Sequence, residues 1–227
     1  MEPRIVTVRR SVLKQNDIAA GALRARFQAT GVFTVSLVSS PGAGKTAFLE
    51  NTLTRLVRTH RVAALVGDLA TDNDAARLAR SGSPVKQITT GSVCHLDAAM
   101  VEAALADWDL DGMDYLFIEN VGNLVCPASF DLGEQLRVVL LSVTEGEDKP
   151  LKYPTIFNSA DLAIITKTDL ARAVEFDWST VQANIDAVHP GMKSLKVSAK
   201  TGAGMSDWLE ILRRELGRPG AFSANGC

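Results

Sequence analysis

Short apolar runs rich in β-branched residues recur along the chain: VFTVSLVSS (32–40), RVAALVGD (61–68), DYLFIEN (114–120), RVVLLSV (137–143), DLAIITKTD (161–169) and SLKVSAK (194–200). Their apolar positions are consecutive rather than alternating, as in strands buried on both faces. Between most of them the apolar residues fall three and four apart, in TAFLENTLTRLVRTH (46–60), NDAARLARSG (73–82), LDAAMVEAALADW (96–108), FDWSTVQANIDAVH (176–189) and MSDWLEILRREL (205–216). That is the helix period. Strand and helix alternating in this way predict an α/β fold, a doubly wound and mostly parallel sheet covered on both faces. Ahead of the first strand, SVLKQNDIAAGALRARFQATG (11–31) reads as one amphipathic helix that ends near Gly31. The expected organisation is a helical segment over residues 1–31 packed on the core, a nucleotide-binding domain over 32–217, and a disordered Gly- and Ser-rich tail over 218–227.

Charge narrows the partners. With 24 basic against 26 acidic residues and a net charge of -2, the chain lacks the electropositive footprint of a nucleic-acid binder. No run approaches the roughly 20 apolar residues of a membrane span, and MEPRIVTVRR has no signal-peptide core, so the expectation is a cytoplasmic protein. The three cysteines, Cys94, Cys126 and Cys227, are too few and scattered for a disulfide framework. They are expected as thiols free to bind metal.

The stretch SSPGAGKT (39–46), between a strand and a helix, has the composition of a phosphate-binding P-loop. Such a loop surrounds phosphate oxygens with backbone N–H groups at a helix N-terminus. Pro41, Gly42, Ala43, Gly44, Lys45, Thr46 and Ala47 are read as the nucleotide-contacting segment. Lys45 would neutralise the β- and γ-phosphates and Thr46 would ligate Mg²⁺. Ser39 stands where the motif usually has its first glycine. Asp68 and Glu119 end strands where a carboxylate can reach the Mg²⁺ shell and the attacking water, and they join Lys45 as catalytic candidates. Asp72 and Asp74 follow Asp68, and helix capping or switch-loop chemistry is open for both; Asp74 is retained as a catalytic candidate.

TKTD (166–169) at a strand end resembles the N-K-x-D guanine-recognition motif. The Asp169 carboxylate would accept from the ring N–H and exocyclic amine of guanine, a donor pair that adenine lacks, while the stem of Lys167 covers the base. Ser198, Ala199 and Lys200 resemble the second guanine element, with the Ala199 backbone meeting the base oxygen. Thr166 replaces the asparagine, losing the amide that normally braces the loop.

With GDLATDNDAARL, TGSVCHLDAAM, FIENVGNLVCP, EGEDKPLKYP and TKTDL in this order, nearly the whole chain resembles the HypB family of hydrogenase nickel-incorporation GTPases. The stretches ENVGNLVCP and EGEDKPLKYP discriminate most, being absent from other P-loop GTPases, including the related urease nickel chaperones. The resemblance implies a SIMIBI-type GTPase that uses GTP and Mg²⁺, dimerises with nucleotide bound, and works with hydrogenase maturation proteins in nickel delivery. It implies that Cys94, His95 and Cys126 ligate Ni²⁺ or Zn²⁺ at the dimer interface, and that Lys149 reaches the partner's nucleotide site. The cysteine motif or histidine-rich tract that many members carry in an N-terminal extension is not in this sequence, whose histidines are His60, His95 and His189, so nickel storage is not expected.

Read from the residues alone, the Cys94-His95 pair suits a structural role as well as a metal, and Cys126 suits a core thiol. His60 and His189 fall at helix ends, where capping of the last carbonyls is expected. Two rival readings remain beside nickel delivery to hydrogenase: a regulatory GTPase switch with incidental cysteines, and a nickel chaperone for another enzyme. An ATP-using partitioning or scaffold protein is disfavoured by Asp169 and the Ser198–Lys200 element.

Overall fold

The strand Phe33–Ser39 (β1) is buried along its whole length, as its unbroken apolar pattern requires. Six more strands follow in the computed structural model: Val62–Asp68 (β2), Val85–Thr89 (β3), Tyr115–Glu119 (β4), Leu136–Ser142 (β5), Leu162–Thr166 (β6) and Lys193–Lys196 (β7). They form one sheet in the order β3-β2-β4-β1-β5-β6-β7, with every pairing parallel. The structure describes residues 4–69 and 73–217; Asp72, Cys227 and the expected tail 218–227 lie outside the described residues. The strand β3 was not anticipated. Its sequence VKQIT is only partly buried along its length, and as an edge strand it needs no continuous apolar run.

Successive residues of a strand face opposite sides of the sheet, so each strand feeds two cores. On one side Val35, Leu37, Phe117 and Val138 pack with Phe48, Leu49 and Leu53 of helix Lys45–Leu56 (α2) and with Trp208 and Leu212 of helix Met205–Leu216 (α8). The buried Trp208 Nε1 donates to Thr52 Oγ1 at 3.0 Å, satisfying the one polar atom of that ring. On the other side Ala63, Leu65, Leu116 and Ile118 pack with Ala20, Leu23 and Phe27 of helix Arg4–Thr30 (α1) and with Val101 of helix Ala98–Ala104 (α4). Each such Val, Leu, Ile or Phe side chain contributes roughly 1.5–3 kcal/mol on burial. The long α1 ends at Gly31, whose φ of 74 turns the chain into β1 at no Cβ cost. It is tied down by Arg24, which meets Asp131 at 2.7 Å. Asn16 assists, donating to Asp131 O and accepting from Ala98 N, both at 2.9 Å.

The segment EGEDKPLKYP runs into two short helices, Lys149–Lys152 (α5) and Pro154–Ser159 (α6); proline at a first turn loses no needed donor. Three of the predicted helices are shorter than expected: α2 stops at Leu56, Asn73–Ala79 (α3) replaces 73–82, and α4 is seven residues long. Both candidate cap histidines donate their backbone N–H to a last-turn carbonyl, His60 to Leu56 O at 2.9 Å and His189, a C-cap residue, to Ile185 O at 2.8 Å, while their rings are engaged elsewhere. His60 pairs with the Thr59 hydroxyl and packs edge-on against Tyr115, while His189, after helix Trp178–Val188 (α7), lies 3.3 Å from Phe157 O of α6. Among the described residues no helix is long and apolar enough to cross a membrane.

Strand order explains where chemistry can collect. Chain progression reverses about β1, which has β4 on one side and β5 on the other; in such sheets the crevice beyond the carboxyl ends at the reversal receives ligands. Ser39, Asp68, Glu119 and Thr166 each end a strand at that edge.

Candidate functional site

The loop between β1 and α2 is shaped by two glycines at positive φ, Gly42 at 76 and Gly44 at 91, a conformation costly for any side chain. It delivers Lys45 and Thr46 to the first turn of α2, where unpaired backbone N–H groups point outward. Lys45 is buried, its Nζ 3.2 Å from Ser39 Oγ and 4.0 Å from Glu119 Oε1. Ser39, where the motif departs from glycine, thus supplies an oxygen for the lysine. The Thr46 hydroxyl donates to Glu119 Oε1 at 2.7 Å. The second oxygen, Glu119 Oε2, is buried with no hydrogen-bond partner. Burial pushes the Glu119 carboxyl above its ordinary pKa, and the Lys45 ammonium and Thr46 hydroxyl oppose that shift. Such a carboxylate gains most from a cation. Asp68, Asp74 and Arg77 line the same cleft of about 430 Å³ together with the loop residues and Asn120. Asp74 stands in the first turn of α3.

Beside it, a smaller pocket of about 200 Å³ is lined by Gly44, Ala47, Phe48, Thr166, Lys167, Asp169, Leu170, Val197, Ala199 and Lys200. Asp169 is fixed by the Ser198 hydroxyl, which donates to Oδ1 at 2.6 Å and itself accepts from Thr201 N. Asn51 Nδ2 of α2 holds Ala199 O at 2.9 Å. Lys167 adopts φ 56, a left-handed conformation that non-glycine residues keep mainly where function over-determines it. Its Nζ donates to Gly42 O at 2.7 Å. The Thr166 hydroxyl donates to Ala43 O at 2.6 Å, so the bracing that the missing asparagine amide would supply is made by a hydroxyl. The two loops are therefore joined twice.

On the side of β4 away from that pocket, the loop after β3 and a 3-10 turn over Cys126–Ser129 bring Cys94, His95 and Cys126 together. Their ligand atoms all lie within 4.8 Å of one another, and the two Sγ atoms are 3.0 Å apart. His95 Nδ1 is buried without a hydrogen-bond partner, and the ring packs on Phe130 with centroids 4.0 Å apart. Burial lowers the His95 pKa against the pull of Asp97, favouring the neutral imidazole that can ligate. A set of two thiols and an imidazole suits Zn²⁺ or Ni²⁺. Lys149, the first residue of α5, has its Nζ 3.3 Å from Ser40 Oγ and 3.4 Å from Glu145 Oε1 of its own chain.

Several contributors escaped sequence reasoning. Phe130 and Asn51 carry no motif of their own, Asn120 lies in ENVGNLVCP without a role assigned to it, and the contacts of all three are with partners distant in the chain. Only the position of Asn120 immediately after a strand-ending carboxylate offered a local signal.

The nucleotide-binding domain of the CobW/HypB/UreG family matches residues 33–196. The hydrogenase maturation factor HypB of Azotobacter vinelandii is 50% identical over 217 residues, covering 95% of this chain and 71% of that protein. A crystal structure of HypB from Helicobacter pylori in complex with nickel is similar with a TM-score of 0.84 and 41% identity, over 89% of this chain and 95% of the other. The 54 kDa signal recognition particle protein of Aeropyrum pernix, in complex with GDP, shares the fold alone: TM-score 0.55 and 15% identity, over 82% of this chain and 49% of that one. The architecture is that of SIMIBI-type P-loop proteins.

Proposed function

The chain belongs to the HypB proteins of the CobW/HypB/UreG family, and on that premise we propose that it hydrolyses GTP and uses the nucleotide cycle to hand on nickel during hydrogenase maturation. One observation carries the proposal. The Cys94, His95 and Cys126 cluster hangs on segments that leave the same sheet edge as Asp68 and Glu119. A movement at the terminal phosphate thus has only a short path to the metal ligands.

Phosphoryl transfer asks the protein for positioning and charge rather than covalent chemistry. Backbone N–H groups of Gly42 to Thr46 would cradle the phosphates, and Lys45 would leave Ser39 to meet the β- and γ-oxygens. Thr46, Glu119 and Asp68 would hold Mg²⁺, which supplies charge neutralisation when bound; the unpartnered Glu119 Oε2 fits that cation. Asp68 and Asp74 are the candidates to orient the attacking water. Asp169, held by Ser198, would accept both guanine donors, with Lys167 over one face of the base and the Ala199 backbone at its oxygen.

Nickel is the cargo. Three ligands leave a four-coordinate shell incomplete, so water or a second copy of the chain completes it, and the cluster suits transfer better than permanent structure. A nucleotide-dependent dimer provides that second copy. For Lys149 to reach the partner's nucleotide it must release Ser40, which it contacts here at 3.3 Å. The test is Ni²⁺ and Zn²⁺ affinity by competition with a chelating dye, in the GDP and GTP-analogue states, alongside GTP turnover. A nucleotide-dependent affinity supports coupling, and equal affinities refute it.

A further inference from the structure

One buried polar side chain in the wall of the phosphate cleft lies between the two halves of the site and is not among the clustered metal-ligating residues. Asn120 is 2% exposed. Its backbone N–H donates to Leu37 O of β1 at 3.0 Å. Its Oδ1 accepts from Leu96 N at 3.0 Å and from Val121 N at 2.9 Å. Asn120 directly follows Glu119, and Leu96 directly follows His95. A single amide oxygen therefore joins the neighbour of the phosphate-site carboxylate to the neighbour of the imidazole.

The Leu96 side chain is gripped from the second strand as well. It is fully buried and occupies the space left by Gly67, where an added Cβ would come within 2.8 Å of Leu96 Cγ. Gly67 directly precedes Asp68. On the phosphate side, a Cβ at Gly122 would meet Pro41 Cα at 3.0 Å, so the turn after Asn120 lies against the phosphate loop with no slack.

We infer that Asn120 is the positioning residue that couples nucleotide to metal, with Leu96 as the element it moves. This rests on the nucleotide-dependent metal affinity proposed above. The 119–122 turn cannot shift at the terminal phosphate without carrying the Asn120 oxygen. The Leu96 N–H is buried together with its acceptor, and a buried donor is expensive to strand, so it follows the oxygen. His95 and Cys94 are one and two residues away. Leu96 rests on Gly67, so its displacement also depends on the end of β2. The metal ligands therefore respond to the two strand ends that carry the phosphate-site carboxylates.

The experiment measures Ni²⁺ affinity by dye competition in the GDP and GTP-analogue states for the wild-type chain, Asn120→Ala and Asn120→Asp. The readout is the ratio of the two affinities, because general loosening of the site lowers both and leaves their ratio. Typical couplings predict a wild-type ratio of about 5- to 150-fold. Asn120→Ala is expected to bring it toward unity, while Asn120→Asp, which keeps an acceptor oxygen, retains it. A wild-type ratio preserved in Asn120→Ala overturns the inference. A wild-type ratio of one overturns the underlying functional reading, and the inference with it. Amide hydrogen exchange at Leu96 and Val121 in the wild-type chain needs no variant to fold. A change in their protection between nucleotide states is expected, and identical protection overturns the inference.

Discussion

The phosphate loop and the cysteine–histidine cluster share one sheet edge and are built in opposite ways. Around the phosphate loop the partners are already in place: Thr46 on Glu119 at 2.7 Å, Thr166 on Ala43 at 2.6 Å, Lys167 on Gly42 at 2.7 Å, with Lys45 buried. These contacts fix the loop's backbone and its neighbouring side chains. The metal cluster rests on an irregular loop and a short 3-10 turn, its three ligands are only half-buried, and His95 Nδ1 lacks a partner. It can deform cheaply. The difference teaches that one sheet edge can carry a tightly braced loop beside a loosely held cluster, with Asn120 at the join.

The largest effect should come from breaking the rigid half. Lys45→Ala and Thr46→Ala are each expected to reduce GTP turnover by at least about 10²- to 10³-fold, the scale of losing one preorganised charge-stabilising group. Phosphate release assays check this, and near-normal turnover in both would remove the phosphate-loop assignment.

The deformable half is broken next. Cys94→Ala and Cys126→Ala should each lose stoichiometric Ni²⁺ and Zn²⁺ binding, weakened by more than the roughly 10- to 100-fold typical of a residue that merely supports a ligand. Calorimetric titration measures it. Full stoichiometry in both variants would make the cysteines incidental and favour a simple regulatory switch.

A smaller change sharpens the guanine side. Asp169→Asn replaces an acceptor-only carboxylate by an amide that can donate, so discrimination between GTP and xanthosine triphosphate should fall. A hydrogen bond to a charged group, worth about 1.5–3 kcal/mol, sets the change at roughly 10- to 100-fold. Unchanged preference in a competition assay would show that Asp169 does not read the base.

The smallest effect tests the brace. Thr166→Val keeps the shape and removes the donor to Ala43 O, leaving a buried carbonyl short of a partner. GTP affinity should drop by about 0.5–1.5 kcal/mol, with the metal cluster unaffected. Thr166→Asn should restore most of it by supplying an amide donor. Equal GTP affinity in all three proteins would mean that the brace contributes nothing to nucleotide binding.

Much of the nucleotide half was legible because its chemistry is local. SSPGAGKT places a turn, a cation and a hydroxyl within eight consecutive residues, and TKTD does the same for the base. The metal half was legible only through the family resemblance. Cys94 and Cys126 stand 32 residues apart, and neither has a spacing that announces a site. The edge strand Val85–Thr89 was invisible because a strand with an exposed side need not be continuously apolar. Thr166 shows the same limit. Its motif position shows a missing amide, while its replacement, a hydroxyl bond to Ala43 O, spans 123 residues.

By itself, the sequence determined the elements that hydrophobic periodicity writes locally, the alternation that demands a parallel sheet, and the phosphate and base loops whose function lies in contiguous residues. Only the tertiary structure decided strand order and register. Parallel pairing sets Leu37 opposite Glu119 and Val66 opposite Glu119 on the other side, so the carboxylate is delivered to the phosphate loop between β1 and β2. That same order lays the loop after β3 against the turn after β4, bringing two thiols to 3.0 Å and one asparagine oxygen to Leu96. Periodicity specifies which face of an element is buried. It carries no information about which neighbour buries it, and the closeness of the cysteine–histidine cluster to the phosphate-loop carboxylates depends on that choice of neighbours.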